Sequence, residues 1–269
     1  VFFKENEMTT IWAFLVFLGL SYGDRNISCL NEKEKEVIYE NKTVVGDVIV
    51  SEKNCKINIT FSRKNKNEKL KEADDSIIAQ FSIFGQKVET LDIFSPLITK
   101  KGFLQIPSFP DIVDISIHSN NFDDDCSIIF NQLKKLQKVA LRSNSISGKT
   151  LKNISSNNNI KSLDLSESGI TDNDLKDLKS TSIDSLVLSE TSISDEGIKA
   201  IVENKVPVTW LDLSETKITD KSCDLLLSIK TLKFLDVNKT KISKKGISKL
   251  RADKRNVLLE FVAPPKDGL

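Results

Sequence analysis

Few residues in this chain are equipped for chemistry, and none stands in a catalytic arrangement. There is one histidine, His118, with Ser119 and Asn120 beside it. It has no second imidazole for zinc and no serine or cysteine in an activating motif, so it reads as a surface contact rather than a base. Gly148-Lys149-Thr150 ends like a phosphate-binding loop, but that loop needs a glycine where the chain has Ser143. The run Asp123-Asp124-Asp125 falls where a helix should start, which suits capping a turn better than holding a metal. Asp92, Asp164, Asp212 and Asp236 recur at one strand position and read as a solvated ladder, because calcium would need oxygens converging from several loops. No G-x-S-x-G, H-E-x-x-H or G-x-G-x-x-G occurs. The expectation is a protein without enzymatic activity, cofactor or metal.

The remaining chemistry concerns compartment. Ile11–Leu20 is an uncharged run of ten residues after Met8, the only methionine. A bilayer span needs about 20 residues, whereas the apolar region of a secretory leader needs about 7–15. Ser21-Tyr22-Gly23 supplies small residues for cleavage, so residues 1–23 read as upstream sequence (Val1–Glu7) and a signal peptide, with a mature chain from about Asp24. No later run reaches membrane length, so the mature chain is expected to lack a membrane span. Secretion makes Cys29 and Cys55 candidates for a disulfide closing a small N-terminal cap. Cys223 fills a leucine slot as a buried thiol, and Cys126 has no obvious place. Sequons stand at Asn26, Asn41, Asn58, Asn153 and Asn238, candidates for N-glycosylation. Lys+Arg is 39 against Asp+Glu 38, which gives no net basic field for nucleic acid.

These residues are positioned by a repeat. Taking Val88, Ile112, Leu136, Ile160, Ile183, Val208 and Leu232 as position 1 gives spacings of 24, 24, 24, 23, 25 and 24. Apolar residues return at positions 1, 4, 6 and 11, and again at 16 and 19. Positions 4 and 6 alternate as in a strand with one buried face, and 16 and 19 share one side of a helical turn. Thr171-Asp172, Ser194-Asp195 and Thr219-Asp220 fall at positions 12–13, where they can cap that helix. Ser, Thr or Asn at position 9 can bond the backbone of the neighbouring turn, where the chain leaves the strand. Such a unit cannot bury its apolar side alone, but stacked copies can. The prediction is an α/β solenoid with a concave parallel sheet and short convex helices.

The units SLDLSESGITDNDL and SLVLSETSISDEGI resemble leucine-rich repeats of the ITDxGL type, as in ribonuclease-inhibitor-like and F-box-associated proteins. The resemblance implies the fold firmly and the function weakly. Residues 88–256 hold the seven units. Residues 24–87 read as a divergent cap, with paired strands in TVVGDVIV (43–50) and CKINITF (55–61), a helix over Glu68–Phe81 and a degenerate repeat. Residues 257–269 read as a last strand and tail.

Positions 3, 5 and 7 face out of the concave sheet. Position 3 places Trp210 and Phe234 on adjacent strands, and the last strand adds Leu258. Soluble proteins seldom leave such an apolar column bare. It is therefore a candidate partner-binding patch, with Asp212 and Asp236 at its rim, unless the C-terminal tail covers it or it serves only cross-strand packing. The expected function is secreted recognition of a protein of unknown identity, either immune or receptor-type or as a delivered effector. The alternative is an intracellular substrate-recognition adaptor of a ubiquitin ligase, which the ITDxGL type suggests.

Overall fold

A computed structural model describes residues 29–41, 47–50, 55–62, 73–252 and 257–260. The expected signal peptide, the Asn26 sequon, residues 68–72 of the expected cap helix and the C-terminal tail lie outside them. Among the described residues, ten strands form one sheet in sequence order. They are β1 (Asp47–Val50), β2 (Ile57–Ser62), β3 (Val88–Phe94), β4 (Asp114–His118), β5 (Lys138–Arg142), β6 (Ser162–Asp164), β7 (Ser185–Val187), β8 (Trp210–Asp212), β9 (Phe234–Asp236) and β10 (Leu258–Glu260). Only the β1–β2 pair is antiparallel; every later neighbour is parallel. β2 thus closes the terminal hairpin on one side and opens the parallel stack on the other.

Helices lie on one side of the sheet: α1 (Glu32–Glu40), α2 (Asp75–Phe81), α3 (Lys100–Phe103), α4 (Gly148–Ser155), α5 (Asp172–Leu175), α6 (Asp195–Glu203), α7 (Ser222–Ser228) and α8 (Lys244–Arg251). The second unit has a 3-10 turn, Cys126–Asn131, instead of an α-helix. Three residues per turn bring Cys126 and Ile129 onto the same side. Both are buried with Phe130, so Cys126 takes a core slot that the helical phase does not assign it. The core is one continuous cluster: Leu165, Leu188 and Leu213 are all fully buried, as a stack of units that cannot hide their apolar sides singly requires.

The units are also joined by carboxylates along the helix side. Asp195, in the first turn of α6, accepts hydrogen bonds from the Thr219 N–H (2.9 Å), the Thr219 hydroxyl (2.7 Å) and the Ser222 hydroxyl of the next unit. Asp75, Asp124, Asp172 and Asp220 make the same reach to Thr99, Ser147, Ser194 and Ser243. Gly197 follows from this arrangement, since a Cβ there would sit 2.5 Å from the Asp172 carboxylate. The Asp side chains at position 13 therefore cap the neighbouring unit's turn rather than their own helix.

Burial works to raise the Asp195 carboxyl, but the bonds from Ser222 and Thr219 outweigh it and hold the group below its ordinary value. Asp124 is held down in the same way by Ser147 and Thr150. A depressed folded-state pKa contributes stability that is complete above the unfolded value of about 3.9 and is lost as pH falls through the folded value. Asp195→Ala is expected to cost about 2 kcal/mol near neutral pH, because it strands the buried Ser222 hydroxyl as well as removing charge-assisted bonds. Urea denaturation at several pH values checks this: below about pH 4 the gap between variant and parent should narrow.

Candidate functional site

The outward column of the sheet is set by register. Ser162 pairs with Ser185, Ser185 with Trp210, Trp210 with Phe234, and Phe234 with Leu258. Two residues on, Asp164, Val187, Asp212 and Asp236 lie side by side in the same order. Alternation places Leu163, Leu186, Leu211 and Leu235 between these two columns and turns them into the core, where all four are buried. The position of the aromatic column is thus fixed by the core leucines.

Trp210 and Phe234 stack face to face, with ring centroids 3.6 Å apart and planes 13° apart. Trp210 is 45% exposed and Leu258 61%, whereas Phe234 is only 8% exposed. This corrects the expectation that all three side chains present themselves. Flanked by Trp210 and Leu258, Phe234 supports the patch, and the other two form its surface.

The aspartates at the rim are held by their own strand ends. One oxygen of Asp164 accepts from the Ser166 N–H (2.8 Å), one of Asp212 from the Ser214 N–H (2.9 Å) and one of Asp236 from the Asn238 N–H (2.7 Å). Just beyond, Glu167, Glu190, Glu215 and Lys239 adopt left-handed backbone, with φ of 55°, 56°, 58° and 56°. No glycine marks these bends. The position-9 hydroxyls of Ser168, Thr191, Thr216 and Thr240 close each turn by donating to the carbonyl three residues back, within their own unit. Burial and the neighbouring Asp212 push the Asp236 carboxyl up, against a lowering bond from the Asn238 backbone.

Nearer the N-terminus, His118 packs against Phe94, with ring centroids 4.1 Å apart and planes tilted by 38°, and its Nε2 lies 3.1 Å from the Ser116 hydroxyl. Burial, then the Arg142 charge, lower its pKa. Asp123 caps the 3-10 turn by accepting from the Asp125 and Cys126 N–H groups. Among the described residues no group of three His, Cys, Asp or Glu is placed to hold a metal ion, and no helix is long and apolar enough to cross a membrane.

Cys29 and Cys55 form a disulfide, while Cys126 and Cys223 are free and buried. The described sequons differ in accessibility. Asn41 is the buried C-cap of α1, and its amide donates to the Val37 carbonyl and to Gln80. A glycan on that nitrogen does not fit the folded chain, which corrects the expectation for Asn41. Asn153 spends its amide on Ser127 at 2.6 Å. Asn58 is exposed on β2, with only its side-chain oxygen engaged, by Thr90. Asn238 sits half-buried at the rim beside Asp236.

Two consecutive stretches, residues 156–178 and 179–202, match the family described as Leucine Rich repeat. Among solved structures the chain is similar to internalin C2 from Listeria monocytogenes str. 4b F2365, at 17% identity over 73% of this chain and 88% of that one, with a TM-score of 0.47. A second internalin, inlF, from the same strain is 13% identical over 74% of this chain and 61% of its own, with a TM-score of 0.46. A plant ice-binding protein is 15% identical over 87% of this chain and 78% of that one, with a TM-score of 0.50. At such identities the likeness concerns fold alone. No curated protein matches the chain at a significant level.

Proposed function

We propose that this leucine-rich-repeat chain is a secreted recognition module that binds another protein through the C-terminal part of its concave face. The observation that carries the proposal is the exposed Trp210, stacked on Phe234 and in line with the exposed Leu258. An indole and a leucine on adjoining strands supply the large, rigid apolar area that protein interfaces place at their centre. Asp212 and Asp236 supply the polar rim.

Extracellular residence is supported by the apolar leader and by the Cys29–Cys55 disulfide, a bond that persists in oxidising compartments. The same bond counts against the intracellular adaptor reading. N-glycosylation belongs to this proposal at Asn26, Asn58, Asn153 and Asn238, with Asn58 the most accessible of the described sites.

A photo-crosslinking amino acid placed at Ser185, next to Trp210 on the sheet, tests the reading against one placed at the exposed Lys199 on α6. With the secreted full chain in its native extracellular setting, a discrete protein adduct is expected from Ser185 and absent from Lys199. Adducts from Lys199 alone, or from neither position, would refute concave-face binding.

A further inference from the structure

The Trp210 patch is asymmetric, and the asymmetry bears on the partner's chemistry. One face of the indole is covered by Phe234 at 3.6 Å. The neighbour on the other side is Ser185, and beyond it Ser162, both too small to cover an indole, so the exposed face looks along the sheet toward β6. Neighbouring strands are about 4.8 Å apart. Ser185 and Val187 therefore form the floor of a shallow trough, with Trp210 and Asp212 on one side and Ser162 and Asp164 on the other.

Charge in this trough has one sign. Asp164 and Asp212 flank Val187 in register, and Asp236 lies next to Asp212. Each holds one backbone N–H with one oxygen, and among the described residues none of the three forms a salt bridge with a lysine or arginine. Elsewhere the carboxylates Asp111, Asp125, Glu167 and Glu215 do find such partners. An open indole face is itself attractive to a cation.

We infer that the trough takes a basic side chain, arginine or lysine, from the protein partner, stacked on the open face of Trp210 over Ser185 and Val187 and paired with Asp164 and Asp212. This deepens the concave-face reading and rests on it.

The probe is an acetylated Gly-Leu-Arg-Leu-Gly peptide amide, compared with its citrulline counterpart, in which a neutral ureido group replaces the guanidinium. Binding to the full secreted chain is read from the Trp210 indole N–H resonance. The arginine peptide is expected to bind about tenfold more tightly, with the margin shrinking as salt rises. The double variant Asp164→Asn, Asp212→Asn keeps the acceptors for the Ser166 and Ser214 N–H groups, so its fold should stand. It should lose the arginine preference and keep its affinity for the citrulline peptide.

Equal affinity for the two peptides, or a preference that survives in the double variant, overturns the cation inference while leaving apolar docking at Trp210 in place. No shift with either peptide also overturns it, and the Ser185 cross-link then decides separately whether the concave face binds protein. Binding seen only after deletion of residues 261–269 would make that tail the occupant and overturn the inference as well.

Discussion

Replacing Trp210 by alanine is expected to weaken binding of the protein partner by about 3 kcal/mol, close to two orders of magnitude in affinity, while costing only about 1 kcal/mol of stability. The separation follows from exposure. Trp210 is 45% exposed, and its one sizeable intramolecular contact in the column is the stacked ring of Phe234. Phe234→Ala should show the opposite balance. That ring is 8% exposed, so its removal leaves a void beneath Trp210 and is expected to cost about 3 kcal/mol of stability. Affinity by calorimetry and stability by urea titration, measured on both variants, check the contrast. If Trp210→Ala unfolds the chain without a specific loss of affinity, the column exists for cross-strand packing.

The second large effect lies in the core. Phe122→Ala is expected to destabilise the chain by about 3–5 kcal/mol. Phe122 is fully buried, packs edge-on against Phe103 with centroids 5.2 Å apart, and meets Phe130 at 5.8 Å. Phe103 belongs to the first unit and Phe122 and Phe130 to the second, so truncation opens a cavity at the boundary between two units. Because each unit contacts mainly its neighbours, the damage should be local. Hydrogen exchange should show faster opening around β3 to β5, with β7 to β9 retaining most of their protection. Uniform loss across the whole chain would contradict a stack of separable units.

Phe122 was readable in the sequence because it falls at an apolar position shared by every unit, and so were the buried leucines at positions 4 and 6. Trp210 and Leu258 were placed on the outward face by alternation alone. Phe234 was placed on the same face, but alternation gives direction and not exposure, and the large residues on both flanking strands cover it. The Asp124, Asp172, Asp195 and Asp220 series appeared as helix caps because capping is a local pattern, whereas the actual acceptors reach across to the next unit. Only the stacking geometry brings Asp195 to Ser222. The left-handed residues Glu167, Glu190, Glu215 and Lys239 were invisible for a different reason: none is the glycine that normally signals such a bend. Helix α1 lies in a stretch without the repeat, where its capping box of Asn31 and Glu34 is the available signal.

Hydroxyl-radical footprinting of the full chain, alone and with the protein captured from Ser185, measures the docking surface directly. Trp210 and Leu258 should lose reactivity on binding, while Ile128, 44% exposed on the second unit's 3-10 turn, should keep it. Unchanged Trp210 together with protection of Ile128 would place the partner on the helix side and contradict the account.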